Sequence, residues 1–126
     1  MGIYLYKYIV VGGNMKLLIA GSRSIKTFDI SEHITFDVDL IICGGADGVD
    51  RIAEQYADDN RISKLDLKPQ YKLYGKAAPI KRNELMVDIA DKILVVWDGA
   101  SKGSEFTIRY AIKKGKDVTV IDTRKK

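Results

Sequence analysis

The sequence predicts an α/β fold built on a five-stranded, mainly parallel sheet. Three observations carry that expectation: short unbroken apolar runs of strand length, amphipathic segments of helical period between them, and glycine-rich stops after the runs. A continuous apolar run suits a strand covered on both faces rather than one half-exposed to water. Strands alternating with helices are joined by right-handed crossovers, which makes the strands parallel and sets helices on both faces. The simplest such arrangement is a Rossmann-like, doubly wound three-layer sandwich with strand order 3-2-1-4-5.

The elements follow in order. Lys16-Leu17-Leu18-Ile19-Ala20 reads as the first strand and stops at Gly21-Ser22-Arg23. The next stretch is the least legible, with one short helix expected between Phe28 and Ile34. Asp39 to Cys43 forms the second strand and stops at Gly44-Gly45. A helix follows in which Val49, Ile52, Ala53, Tyr56 and Ala57 make one apolar stripe, with Asp47 as the expected N-cap. Ser63 to Leu67 is a weaker third strand, ended by Lys68-Pro69, and a polar loop then runs to Ala78. Pro79 suits the first turn of a helix carrying Leu85, Met86, Ile89 and Ala90. Lys92 to Trp97 is the clearest strand, closed by Asp98-Gly99. The helix from Ser104 to Lys114 shows Ile108, Ala111 and Ile112 on one face, stops at Gly115, and leads to a last strand, Asp117 to Ile121.

Residues 1–14 stand apart. They read as a strand and a Gly12-Gly13-Asn14 turn that would form a hairpin with Lys16–Ala20, a strand that the 3-2-1-4-5 order already pairs on both sides. The expected organisation is therefore an N-terminal extension over 1–14, either an added edge strand or disordered, and a single domain over 15–126.

Composition narrows the chemistry. The 126 residues are 46% hydrophobic and 30% charged, the balance of a globular domain, and no apolar run nears the roughly 18 residues of a membrane span. The opening segment lacks a basic start and its apolar run is broken by Lys7, so it does not read as a signal peptide, and a cytoplasmic location is expected. One cysteine, Cys43, excludes an internal disulfide and a thiolate cluster; one histidine, His33, removes most zinc sites. No metal site is expected, and Mg²⁺ has only isolated carboxylates to recommend it. The net charge of +4 suits an anionic ligand, but the lysines are spread along the chain rather than gathered, which argues against nucleic acid.

Open α/β sheets bind ligands outside the carboxyl ends of the strands, where the strand order reverses. Here that crevice lies between the first and fourth strands. The segments it gathers are Gly21-Ser22-Arg23, Gly44-Gly45-Ala46-Asp47-Gly48 and Asp98-Gly99-Ala100-Ser101-Lys102-Gly103-Ser104. Glycines let backbone N–H groups approach a ligand, and helix N-termini favour anions. Ser22, Ser101 and Ser104 offer hydroxyls to phosphate oxygens, and Arg23 offers a bidentate fork. The alternative is that such residues simply make short turns; three loops converging on one crevice favour a site. There is no G-x-x-x-x-G-K-[ST] and no G-x-G-x-x-G, so neither a P-loop nucleotidase nor a dinucleotide dehydrogenase is indicated.

The loop set Gly21-Ser22-Arg23, Gly44 to Asp50, Pro79 to Met86 and Ser101 to Ser104 resembles the SLOG superfamily. That group includes the cytokinin-activating LOG phosphoribohydrolases, the lysine-decarboxylase-like proteins and the DNA-processing protein DprA. The pattern is most similar to its small YspA-like, cpYpsA-related branch and covers about Lys16 to Ile121. The resemblance implies a Rossmannoid domain that binds a nucleotide or nucleotide-derived ligand, and by analogy a homodimer. It implies that Gly21, Ser22 and Arg23 line the base or ribose side and that Gly44, Gly45 and Gly48 shape the second loop, with Asp50 at the helix start. Gly103 and Ser104 would match the family's phosphate-binding Gly-Thr pair, and Arg82 the ligand-contacting arginine.

One departure matters. The phosphoribohydrolases carry P-G-G-x-G-T-x-x-E, whose Glu serves as acid or base; the matching position here is Thr107, and Glu105 comes two residues earlier, about 200° around a helix. Inherited glycosidase chemistry is therefore in question, with Glu105 and Asp98 as the candidate acid or base. Asp98 would also suit a ribose diol or Mg²⁺. Asp47 and Asp50 either bind a ribose hydroxyl or metal, or cap their helix. Trp97 and Tyr74 either stack on a base or belong to the core, and Tyr71, Tyr74 and Lys76 lie in a loop able to act as a lid. The leading expectation is a nucleotide-derivative sensor or low-turnover enzyme; the alternatives are an N-glycosidic hydrolase of nucleoside monophosphates and a DprA-like single-stranded DNA module.

Overall fold

A computed structural model describes residues 15–124, so the reading of 1–14 as an extension lies outside the described residues. Five strands, β1 (Lys16–Gly21), β2 (Leu40–Cys43), β3 (Ser63–Asp66), β4 (Lys92–Trp97) and β5 (Asp117–Asp122), form one sheet in the order β3-β2-β1-β4-β5. Every pairing is parallel, in the 3-2-1-4-5 order of a Rossmann-like fold.

The unbroken apolar runs have the expected cause. Side chains alternate across a strand, so Leu17 and Ile19 pack with Ile41, Cys43, Leu94 and Val96 on one face. Leu18 and Ala20 pack with Ile42, Ile93 and Val95 on the other. Helix α1 (Val49–Asp59) covers the first face through Val49, Ala53 and Ala57, together with a 3-10 turn at Ile30–His33. On the second face Met86, Val87 and Ala90 of α3 (Ala78–Ile89) and its C-cap, with Ala111 of α4 (Lys102–Lys113), close the core.

The structure departs from the sequence reading in a few local features. Asp47 does not cap α1: Gly48 occupies the N-cap with no side-chain bond, and Asp47 instead faces Arg51 at 3.7 Å on the surface. The loop before Ala78 contains a short turn of helix, α2 (Tyr71–Tyr74), and a 3-10 turn at Gly75–Ala77. Leu85 and Ile112, expected on core faces, are exposed. The buried line of α4 runs through Ser104, Thr107 and Ala111, spacings of three and four that leave Ile112 one position outside it. Among the described residues no helix is long and apolar enough to cross a membrane.

Candidate functional site

Because β1 pairs with both β2 and β4, the strand order reverses at β1. A cavity of about 440 Å³ opens at the carboxyl ends of these strands, within the size range of small-molecule sites. Its walls include Gly21, Ser22, Arg23, Asp50, Arg82, Asp98, Ser101, Gly103 and Ser104. Gly44, Gly45, Gly48 and Glu105 do not line it, whereas Ser24, Asn83 and Thr107 do.

The first wall is a tightly bonded seam between the β1 and β4 loops. A Cβ at Gly21 would lie 2.2 Å from the Val96 carbonyl oxygen, so only glycine lets the strand ends meet there. Ser22 is 1% exposed; its hydroxyl accepts the Asp98 N–H at 2.9 Å and shares a 2.7 Å hydrogen bond with the Ser101 hydroxyl. Asp98 spends both carboxylate oxygens on the same seam. One accepts the Ser24 hydroxyl at 2.7 Å; the other accepts the Ala100 and Ser101 amides at 2.8 and 2.9 Å. The Ser24 hydroxyl foremost, then those two amides, hold this carboxyl well below the usual carboxylate range. Asp98 is thus an anionic brace for the loops and has no proton to give at neutral pH.

The second wall is the β2–α1 loop. Gly48 has φ +75°, and a Cβ there would meet the Ser22 carbonyl oxygen at 2.4 Å. This contact, with the Val49 N–H donating to Ser22 O at 3.3 Å, straps the two loops together. The glycines of this loop therefore work behind the cavity wall. Asp50 faces inward and is 8% exposed. Its Oδ2 accepts the Ala46 N–H at 3.0 Å, and its Oδ1 has no partner among the described residues. Burial pushes its carboxyl up to about 6, outweighing the Ala46 amide and the Arg82 charge, with Asp66 and Glu54 adding repulsion.

Arg82, from α3, closes the floor. Its Nη1 donates to the Gly44 and Leu67 carbonyls, each at 3.0 Å, and its Nε to Asn83 Oδ1 at 3.0 Å. The guanidinium thereby ties α3 to the ends of β2 and β3, and much of its hydrogen-bonding fork is committed before any ligand arrives.

The remaining wall is the start of α4. The amides of Lys102, Gly103 and Ser104 have no carbonyl one turn back, and the Ser101 side chain does not cap them. Ser104 is 6% exposed and its hydroxyl has no partner among the described residues. Since it is not sealed from solvent, that hydroxyl opens into the cavity. Arg23 supplies an exposed positive charge at the rim.

Compared with models of known protein families, with curated proteins and with solved structures, the chain has no match.

The site's geometry separates the two carboxylates expected to do acid or base work from the cavity's free groups. Glu105 lies outside the wall and pairs with Arg109 at 3.1 Å, one turn along α4. Thr107 does line the cavity, but its hydroxyl donates back to the Gly103 carbonyl at 3.1 Å. Glu105→Gln is accordingly expected to leave ligand affinity within about twofold, since an exposed i,i+4 pair contributes only about 0.3–0.5 kcal/mol; titration calorimetry of the variant checks it.

Trp97 is held by its own loop, its Nε1 donating to Ser101 O at 3.1 Å, and the Arg124 guanidinium lies over its ring at 5.9 Å. Tyr71 and Tyr74 are exposed and do not line the main cavity. Tyr74 instead borders a smaller hollow of about 260 Å³ along α3, which shares Arg82 with the first. Cys43, Glu54 and Asp66, none of which lines the cavity, bring potential metal-binding atoms within 4.8 Å of one another. Asp66 Oδ2 meets Lys68 at 3.5 Å while its Oδ1 is buried without a hydrogen-bond partner among the described residues, and burial pushes the Cys43 thiol up to about 12, so it stays protonated as a small buried hydrophobe.

Proposed function

We propose that this chain binds a nucleotide or nucleotide-derived phosphate in the cavity between β1 and β4, as a sensor or low-turnover enzyme. The observation that carries the reading is Ser104, a residue more than nine-tenths buried whose hydroxyl has no partner among the described residues, beside three uncapped amides at the start of a twelve-residue helix. Unsatisfied donors at a helix N-terminus attract an anion through both hydrogen bonds and the helix dipole. A phosphate there would accept from the Gly103 and Ser104 amides and the Ser104 hydroxyl, with Arg23 at the rim. The likeness of Gly103-Ser104 to the SLOG phosphate pair points the same way.

Support for binding over hydrolysis comes from the commitments of the expected acids. Asp98 is held ionised by its loop, Glu105 is turned toward Arg109, and Thr107 stands where the phosphoribohydrolases carry Glu. The DNA-binding reading draws no comparable support: among the described residues the cavity wall carries two basic side chains, Arg23 and Arg82, rather than a basic groove.

The test is a thermal-shift panel of nucleoside monophosphates, sugar phosphates and dinucleotides. A ligand at about 100 times its Kd stabilises the fold by about 2.7 kcal/mol, several degrees in Tm. Ser104→Ala is expected to weaken a hit by about 10- to 100-fold, the value of a hydrogen bond to a charged group, with the unliganded Tm unchanged within about 2 °C. A ligand that binds the variant as tightly as the parent chain overturns the assignment.

A further inference from the structure

We propose that Asp50 makes the site selective for a ligand carrying a vicinal diol beside its phosphate, so that ribose forms bind in preference to 2′-deoxyribose forms. The inference rests on the phosphate reading above and adds the second half of the ligand. Most polar groups of the cavity are already used. Ser22 and Asp98 are consumed by the loop seam, and Thr107 by the Gly103 carbonyl. Two polar side chains that are nine-tenths buried remain open to the cavity: the Ser104 hydroxyl and Asp50 Oδ1.

These two ask for opposite partners. The α4 end supplies donors and takes an anion. An ionised carboxylate only accepts, so the Asp50 end takes a hydrogen-bond donor and repels a phosphate. A ligand filling both must carry donors and an anionic group within one cavity of about 440 Å³, as a ribose 5-phosphate unit does.

The donor is a neutral one. A point above Gly44 lies 2.7 Å from Arg82 Nη1 and 3.1 Å from Asp50 Oδ2, so the guanidinium already stands beside this carboxylate. An ammonium arriving at Asp50 would meet that positive charge, whereas a hydroxyl would not. Adjacent hydroxyls also match a carboxylate in number, since its oxygens offer several acceptor sites while only the Ala46 amide uses one. The other neutral donor of a nucleotide is the exocyclic amine of its base, and the experiment separates the two.

The experiment is titration calorimetry of ribose 5-phosphate, 2-deoxyribose 5-phosphate, and the ribo and 2′-deoxy forms of one purine monophosphate with and without an exocyclic amine. These are run against the parent chain, Asp50→Ala, and Asp50→Asn, which keeps the side-chain shape. The parent chain is expected to favour each ribo form over its deoxy form by about tenfold or more, and both variants to reduce that ratio below about threefold. Equal binding of ribo and deoxy forms by the parent chain overturns the proposal, as does a ratio that survives in both variants. Dependence on the base amine without dependence on the 2′-hydroxyl overturns it in favour of base recognition. In those cases loss of affinity in Ser104→Ala leaves the phosphate reading standing; a parent chain that binds none of the phosphates overturns both.

Discussion

Asp50→Asn is expected to raise the melting temperature at pH 7.5 by roughly 10 °C, with the gain vanishing below about pH 4. The folded chain holds the Asp50 carboxyl at about 6 against an ordinary value of 3.8. Below 3.8 both folded and unfolded chains carry the proton and the residue costs nothing. As pH rises from there the unfolded chain releases its proton first, so the folded state binds more protons and loses stability until Asp50 ionises near 6. Above that the penalty is complete, at about 3 kcal/mol, since each tenfold change in proton affinity is worth about 1.4 kcal/mol. The groups facing it are Arg82 from α3, Asp66 at the end of β3, and Glu54 from its own helix. Asn keeps the acceptor for the Ala46 amide and removes the buried charge. Thermal unfolding of both chains from pH 3.5 to 8 reads the effect; an Asn variant less stable than the parent at pH 7.5, or a gain that does not change with pH, contradicts it. A residue that costs stability where it stands is what a binding site built around a charge should contain.

The second large effect lies at Gly48. Gly48→Ala puts a methyl 2.4 Å from the Ser22 carbonyl oxygen and 2.6 Å from the Arg23 backbone, at a φ of +75° that side-chain-bearing residues rarely adopt. Neither the strain nor the clash relaxes cheaply, because the atoms met are backbone and Ser22 is fixed by the Asp98 seam. A loss of about 3 kcal/mol or more is expected, with a Tm drop near 10 °C and loss of ligand binding as the two loops part. Gly103→Ala is the control. Nothing lies within 4 Å of a Cβ at that position, so its fold should hold as well as the parent's. Equal melting temperatures for the two variants would contradict the strapped-loop description.

The strands were legible because β1, β2 and β4 bury both faces: Leu17 to Ala20, Ile41 to Cys43 and Ile93 to Val96 leave no polar position to obscure the run. Their order is the simplest doubly wound arrangement, and that order puts the glycine- and serine-rich stops at one edge. What each polar group does there was not legible. Asp98 directly follows β4 and Asp50 follows the glycine-rich loop after β2, yet one carboxylate is enclosed by three donors and the other is left with a free oxygen. One of the donors on Asp98 is the Ser24 hydroxyl, from the loop after β1 and 74 positions away in sequence. Arg82 illustrates the same limit, since its carbonyl partners Gly44 and Leu67 come from different strands' ends. Asp47 was the natural cap by residue type, but the approach of Ser22 requires the positive φ of Gly48 at that position instead.

Whether the start of α4 is an anion site for a nucleotide's phosphate is decided most directly amide by amide. The measurement is titration of ¹⁵N-labelled protein with a purine ribonucleoside 5′-monophosphate. Saturable shifts concentrated at Lys102, Gly103 and Ser104, lost in Ser104→Ala, are the expected result. An unchanged spectrum at millimolar ligand, or saturation confined to amides away from the β1–β4 cavity, would contradict it.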